Sequence, residues 1–160
     1  MWRCCWLLLV PGCLGATHVF TGVVNAIPDG DTLWVQPDDG SAPRKLRLLG
    51  IDAPEICQAG GVASRDELVR LVAHQRVRVR VEYLDSYGRD LAHLEHSGQD
   101  IGAQMVRSGQ AWSNRWRGGL GPYASEEALA RLGKNGLFAM QQPEIPRDFR
   151  KRHGSCYPDK

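Results

Sequence analysis

Two pairs of acidic residues stand at places where the chain is expected to turn. Asp29 and Asp31 flank a glycine after an apolar stretch, and Asp52 and Glu55 follow a later one. Acidic residues favour turns on structural grounds alone, and Asp-Gly is a routine hairpin turn, so each pair taken singly has a structural explanation. Brought together, the same carboxylates would offer the oxygen ligands that a hard cation such as Ca²⁺ prefers.

Two arginines accompany these acidic pairs, and each follows an apolar strand pattern. They are Arg47 and Arg89. A guanidinium group presents N–H donors in a rigid fork that matches the geometry of a phosphate. Carboxylates that hold a cation, beside arginines that hold a phosphate, are the parts that phosphodiester hydrolysis requires. The four acidic residues and two arginines therefore predict this chemistry if the fold brings them together.

Short apolar patterns predict the elements that must position these residues. Residues 76–83 alternate strictly between polar and apolar types, which is the period of a half-buried strand. The predicted strands are two within 19–35, then 45–51, 76–83 and 90–95, and the predicted helices are 62–75, 101–108 and 122–134. Five short strands with a helix after the third predict an α+β domain built on a small closed β-barrel.

Composition is that of an ordinary folded domain. The chain has 160 residues, 42% of them apolar and 24% charged, which excludes wholesale disorder, collagen-like repeats and coiled coil. The net charge is only +2, so binding of a polyanion must depend on local arginines rather than on the overall field. Sixteen of the twenty basic residues are arginine.

The first sixteen residues differ from the rest. One charge, Arg3, precedes an uncharged apolar run that is too short to span a bilayer, and this pattern is typical of a secretory signal. We expect residues 1–16 to be removed and the protein to be exported. A lipoprotein signal that ends before a lipidated Cys13, which would anchor the protein to a membrane, is one alternative. A buried N-terminal element is another.

The C-terminal twenty residues, 141–160, combine three prolines with several basic side chains and predict an extended tail after a domain at 17–140. This tail either contacts a polyanion or is simply solvated. Cys156 lies within it, and Cys57 is the other cysteine beyond the expected signal. The pair is compatible with one disulfide in an oxidising compartment, and both would be free thiols if the protein is not exported.

Three sequence blocks together resemble the signature of the staphylococcal nuclease (thermonuclease) family. They are AIPDGDT at 26–32, LRLLGIDAPE at 46–55 and YGRDLA at 87–92, in the family's order and nearly at its spacing. The resemblance runs from about residue 21 to residue 139. It implies a five-stranded OB-fold β-barrel with three helices, which agrees with the fold class predicted from the patterns.

The resemblance also implies a calcium site. Asp31 and Asp52 match the family's carboxylate ligands, and the main-chain carbonyl of Ala53 matches a further ligand. Asp29 matches an acidic residue that supports the ion from outside its ligand shell. Two carboxylates, a carbonyl, waters and a substrate oxygen would complete the six to eight oxygen ligands that Ca²⁺ takes.

Catalytic roles follow from the same resemblance. Glu55 matches the proposed general base, which activates a water for attack on phosphorus. Arg47 and Arg89 match the two arginines that bind phosphate and stabilise the charge that grows in the transition state. Tyr87 stands where the family often contacts a substrate phosphate.

Aromatic residues near position 114 depart from the family's pattern, because the staphylococcal enzyme's pair of tyrosines is not reproduced there. Trp112 and Trp116 are candidates for stacking on unpaired bases, and packing in the core is the alternative for both. The residues expected to bind phosphate also differ from the family's pattern, since Ser86 stands where the staphylococcal enzyme has a basic side chain.

The expected function is therefore that of an exported, calcium-dependent nuclease. We expect it to hydrolyse DNA and RNA, favour single-stranded or open regions, leave 3′-phosphate ends and act as a monomer, with no protein partner implied. The rival interpretation is a non-catalytic OB-fold module that binds nucleic acid, because a fold alone does not decide function.

Overall fold

The computed structural model describes residues 18–115, 118–154 and 156–157. Its elements in chain order are β1 His18–Ala26, β2 Thr32–Pro37, β3 Arg44–Leu48, β4 Ile51–Asp52, α1 Gly61–Val72, β5 Arg76–Leu84, β6 Asp90–His96, β7 Gln99–Asp100, α2 Ile101–Arg107, β8 Trp112–Ser113, α3 Ala124–Leu132, a 3₁₀ turn at Gly136–Ala139 and α4 Pro146–His153. The expected signal at 1–16, Cys13 and Trp116 all lie outside the described residues.

Five strands form a closed barrel. The strand order is β3-β2-β1-β5-β6 with β7 added at the end, and β3 also pairs with β6. This last pairing is parallel and places Arg47 opposite Leu91, whereas the other pairs of the barrel are antiparallel. The prediction of an α+β domain on a five-stranded barrel is confirmed. The number of helices differs, since the described residues form four α-helices rather than three.

Alternation along the strands builds the core. On β5, Val77, Val79 and Val81 point inward and are at most 9% exposed, whereas the arginines between them are exposed. The period of two therefore places one face in the barrel and the other in solvent. Two helices close the barrel with buried side chains, including Leu68 from α1 and Met105 from α2.

The third predicted strand is broken in two. Gly50 has a φ of 84°, in the left-handed region that glycine tolerates best, so the chain turns between β3 and β4. The short strand β4 then leaves the barrel sheet and pairs with β8. This break directs Asp52, at the end of β4, back towards Arg47 on β3.

The C-terminal segment differs from the extended tail that its prolines suggested. Residues 146–153 form helix α4, with Pro146 in the first turn, where its missing N–H costs nothing. Phe149 is only 6% exposed, and its ring stacks on His153 with centroids 4.8 Å apart. Pro146 marks the start of a helix here, a role that composition alone does not distinguish from a loose tail.

A disulfide between Cys57 and Cys156 joins this segment to the loop before α1. The two residues are 99 positions apart, and their Cα atoms are separated by 5.7 Å. Of the two alternatives that the sequence left open, the structure shows the disulfide rather than free thiols. No helix among the described residues is long and apolar enough to cross a membrane.

Reduction of the disulfide should destabilise the protein. Because the bond closes a loop of about 99 residues in the unfolded chain, we expect its reduction to lower the free energy of unfolding by about 2–4 kcal/mol. Urea unfolding with and without reductant measures this difference. A Cys57→Ser/Cys156→Ser double variant is the control and should not respond to reductant; equal stability of oxidised and reduced wild type would contradict the prediction.

Candidate active site

A single arginine joins the two acidic pairs. Arg47, on β3, donates from Nη1 to Asp31 Oδ1 at 2.7 Å and from Nη2 to Asp52 Oδ1 at 2.9 Å. Asp31 is 3% and Asp52 8% exposed, so both carboxylates lie almost wholly inside the protein. The structure therefore brings three of the predicted site residues into direct contact.

The loop between β1 and β2 is held close to β4 by backbone contacts. Asp31 Oδ2 accepts a hydrogen bond from the Ala53 amide at 3.0 Å, and the Asp31 carbonyl accepts one from the Leu48 amide at 2.8 Å. Gly30 allows this approach: a Cβ there would overlap Ser64 Oγ and lie 2.9 Å from Ala53 Cβ. Only a glycine fits between these neighbours without moving them.

Glu55 lies in the loop that follows β4. Its amide donates to the side chain of Gln58 at 3.2 Å, and Gln58 is itself 6% exposed. The carboxylate of Glu55 accepts a hydrogen bond from Arg150 at 2.7 Å. Glu55 is therefore held at the edge of the site, next to Asp52, by a residue from outside the barrel.

Arg150, on α4, is a site residue that the sequence analysis missed. Its Nη1 lies 2.7 Å from Glu55 Oε1 and 3.2 Å from Asp52 Oδ1. One signal could have found it: once Cys156 is paired with Cys57, two residues after Glu55, a helix just before Cys156 must lie near that loop.

The charges around Asp52 do not balance. Asp29, Asp31, Asp52 and Glu55 carry four negative charges, and two guanidinium groups oppose them. Burial, followed by the charge of Asp31, raises the pKa of Asp29 to about 6. The same two causes raise the pKa of Asp52. The charge of Asp31 is in turn the main cause that raises the pKa of Arg47.

The oxygen donors and the excess negative charge of this cluster suit a hard divalent cation. The donors are oxygens, and the formal excess of two negative charges equals the charge of one Ca²⁺. Among the described residues no three His, Cys, Asp or Glu side chains are grouped to hold a metal. The implied set has only two such side chains, Asp31 and Asp52, with the Ala53 carbonyl, and would take its remaining ligands from water and substrate.

Comparison with known proteins identifies the family. Residues 45–139 match the model of the family described as "Staphylococcal nuclease homologue". The chain belongs to the staphylococcal nuclease family. A protein named "Micrococcal nuclease" from Shigella flexneri is 37% identical over 71% of this chain and 72% of its own. An "Uncharacterized endonuclease" from Haemophilus influenzae is 35% identical over 81% of this chain and 72% of its own.

Plant relatives are longer. A "Probable staphylococcal-like nuclease" from Oryza sativa subsp. japonica is 35% identical over 71% of this chain. The match covers 32% of that relative, so the chain spans about a third of its length.

Arg89 and Tyr87 lie on the turn between β5 and β6 rather than in the acidic cluster. Arg89 Nε donates to Asp85 at 2.8 Å, and its guanidinium lies 5.4 Å from the centre of the Tyr87 ring. Tyr87 is 82% exposed. Leu91, two residues after Arg89, is the strand partner of Arg47, so Arg89 lies just before the strand that pairs with the strand of Arg47. Within the described residues, no hydrogen bond links Arg89 to the acidic cluster.

Trp112 does not have the exposure that stacking on a base requires. It is 5% exposed on β8, where it is the strand partner of Asp52, and its ring meets Phe138 edge-on with centroids 6.1 Å apart. Of the two alternatives for Trp112, the structure therefore favours packing over stacking on a base. The cause is the short β4–β8 pairing, which no sequence pattern revealed.

Removing the charge of Asp29 should stabilise the metal-free protein at high pH. Because its pKa is raised to about 6, the folded state opposes ionisation of Asp29, and this cost is present above pH 6. We expect Asp29→Asn to add on the order of 1–2 kcal/mol to the free energy of unfolding at pH 8. The gain should shrink as the pH falls through about 6 and vanish below the ordinary value of 3.8, where the carboxyl is protonated in both states.

The measurement is urea unfolding with chelator at pH 8, 6 and 3.5. Asp39→Asn is the matched control, because Ser41 hydrogen bonds lower the pKa of Asp39 and its substitution should not stabilise. An Asp29→Asn protein no more stable than wild type at pH 8 would show that the charge cluster is not strained.

Proposed function

We propose that this protein is a calcium-dependent nuclease that hydrolyses phosphodiester bonds of DNA and RNA. One observation carries the proposal: Arg47 ties Asp31 to Asp52, and Glu55 lies beside them on the same side of the barrel. A cation site, a base and a phosphate-binding group are thus gathered around one point. Membership of the family, and relatives named as nucleases, support the same activity.

Each residue has a role in an in-line displacement. Glu55 accepts the proton of the attacking water, a task that requires a carboxylate not bound to the metal. Arg47, and Arg89 from the turn before β6, donate hydrogen bonds to the phosphate oxygens as negative charge grows on them. Asp31, Asp52 and the Ala53 carbonyl hold the calcium ion, with Asp29 outside them. When bound, this ion supplies a Lewis acid that polarises the phosphate.

Substrate and product follow from the family resemblance. The 5′ oxygen would leave and the product would carry a 3′-phosphate. Single-stranded or locally open nucleic acid is the expected substrate, and Tyr87, 82% exposed beside Arg89, is available to contact it. We infer that the protein acts as a monomer, since every proposed catalytic group comes from one chain.

Export is part of the proposal. Disulfides persist in oxidising compartments, so the Cys57–Cys156 bond supports a secreted or periplasmic protein. The signal pattern at 1–16 supports the same location, and a lipid anchor at Cys13 would be the membrane-bound form of it.

The alternative is an OB-fold module that binds nucleic acid without cleaving it. Loss of the acidic ligands or of the base would favour such a module. Here Asp31, Asp52 and Glu55 are all present and lie in contact with arginines, so the observation favours catalysis.

Removal of the base tests the enzyme directly. Single-stranded DNA should be cleaved in the presence of calcium and remain intact with a chelator. Glu55→Gln should lower the rate by about 10²–10⁴-fold, because proton transfer to the carboxylate is lost while the amide keeps its size. Glu67→Gln, on α1 and paired with Arg70 away from the site, is the control and should cleave normally.

Two outcomes would count against this scheme. Near-normal cleavage by Glu55→Gln would remove the general-base role. Intact DNA with folded wild-type protein and calcium would favour the binding module instead.

Substitution of Arg47 by lysine tests the phosphate-binding role. Lysine keeps the charge but cannot donate two hydrogen bonds in a fork, so we expect Arg47→Lys to lower kcat/KM at least about 100-fold. Arg44→Lys is a matched control on the same strand, since Arg44 pairs with Asp90 instead. Similar kcat/KM values for the two variants would contradict a specific role for Arg47.

A further inference from the structure

Residues on either side of helix α4 are bonded to the loop that carries Glu55 and to the loop that carries Asp29. After the helix, Cys156 is bonded to Cys57 in the loop of Glu55, and the Tyr157 hydroxyl donates to the Pro28 carbonyl at 3.0 Å, next to Asp29. Before the helix, Gln58 Nε2 donates to the Glu144 carbonyl at 2.7 Å. A segment outside the barrel is thus fixed across the mouth of the site.

Arg150 is the side chain that this helix directs inward. Its contacts parallel those of Arg47: each guanidinium bonds to Asp52 and to one further carboxylate, Asp31 for Arg47 and Glu55 for Arg150. Asp52 therefore lies between two arginines. They differ in accessibility, since the Arg150 side chain is 37% exposed and that of Arg47 is 19% exposed.

A cleft lined by both arginines and carboxylates lies next to this point. It has a volume of about 390 Å³ and begins at Asp52, between α4 and the segment after β8. Three arginines line it: Arg115, Arg131 and Arg147. Glu127 pairs with the first two, and Arg147, which is 71% exposed, lies 4.0 Å from Asp148, another residue of the cleft. A polyanion that leaves the site past Arg150 would meet these arginines, of which Arg147 is the most exposed.

We propose that Arg150 is a third phosphate-binding arginine of the active site, held in place by the Cys57–Cys156 disulfide. It contacts the phosphate backbone of a single-stranded substrate where the strand passes from Asp52 into the cleft beside α4. The inference rests on the proposed nuclease function. A calcium ion held by Asp31 and Asp52 would offset the charge of Asp52, so that the Arg150 N–H donors that now contact Asp52 would be available to a phosphate.

A purely structural ion pair is the competing explanation, and the salt dependence of binding separates the two. Each phosphate contact on a single strand contributes about 0.7 to the slope of log K against log salt concentration. A residue that only holds the fold contributes nothing to this slope.

The experiment measures binding of a fluorescent single-stranded DNA oligonucleotide, with calcium, over a range of salt concentrations. Glu55→Gln protein is the background, because it slows cleavage enough for binding to be measured while its amide oxygen can still accept from Arg150. We expect Arg150→Gln to weaken binding about tenfold at low salt and to lower the slope by about 0.7. Arg150→Lys should keep the slope but bind more weakly.

The matched control is Lys151→Gln, which removes the same charge from the next residue of α4. Lys151 is 68% exposed and lies 3.8 Å from Asp148, so its substitution should leave affinity and slope unchanged. Thermal unfolding of every variant verifies that it is folded at the assay temperature. Equal affinity and slope for Arg150→Gln and Lys151→Gln would overturn the proposal. Absence of any DNA binding by the background protein would overturn the proposed function as well.

The disulfide is tested in a double-mutant cycle with the same assay. Cys57→Ser/Cys156→Ser should weaken DNA binding when Arg150 is present and should add little when Arg150 is already glutamine. Equal losses in both backgrounds would show that the disulfide does not act through Arg150, and would overturn that half of the proposal.

Discussion

The paired hydrogen bonds of Arg47 are the interaction on which the site depends. One guanidinium, 19% exposed, joins a carboxylate from the β1–β2 loop to another from β4. Without it, two nearly buried negative charges would face each other at close range, which is costly in a protein interior. The barrel closure that pairs β3 with β6 holds this arginine in place.

The incomplete charge balance gives the site its chemistry. Four carboxylates and two arginines leave negative charge that burial makes expensive, as the raised pKa values of Asp29 and Asp52 show. A hard cation would offset this negative charge. The arginines could then donate hydrogen bonds to a phosphate. This excess of negative charge beside two arginines is thus consistent with a site that binds metal and phosphodiester together.

Helix α4 adds to the barrel something that the three signature blocks do not contain. Phe149 anchors the helix to the body of the protein, and the Cys57–Cys156 disulfide ties its far end to the loop of Glu55. As a result, Arg150 reaches Asp52 and Glu55 from 95 or more positions away in sequence. The C-terminal segment is therefore part of the site's architecture.

The sequence by itself determined the barrel class, most strands, and the acidic pairs with Arg47, because strand alternation and local motifs are encoded by neighbouring residues. Tertiary structure alone decided that β4 pairs with β8, that this pairing buries Trp112, and that α4 delivers Arg150. Strands of two residues are too short to show an alternation of polar and apolar residues in the sequence. Contacts across about a hundred positions depend on how the chain closes, so no local pattern reports them.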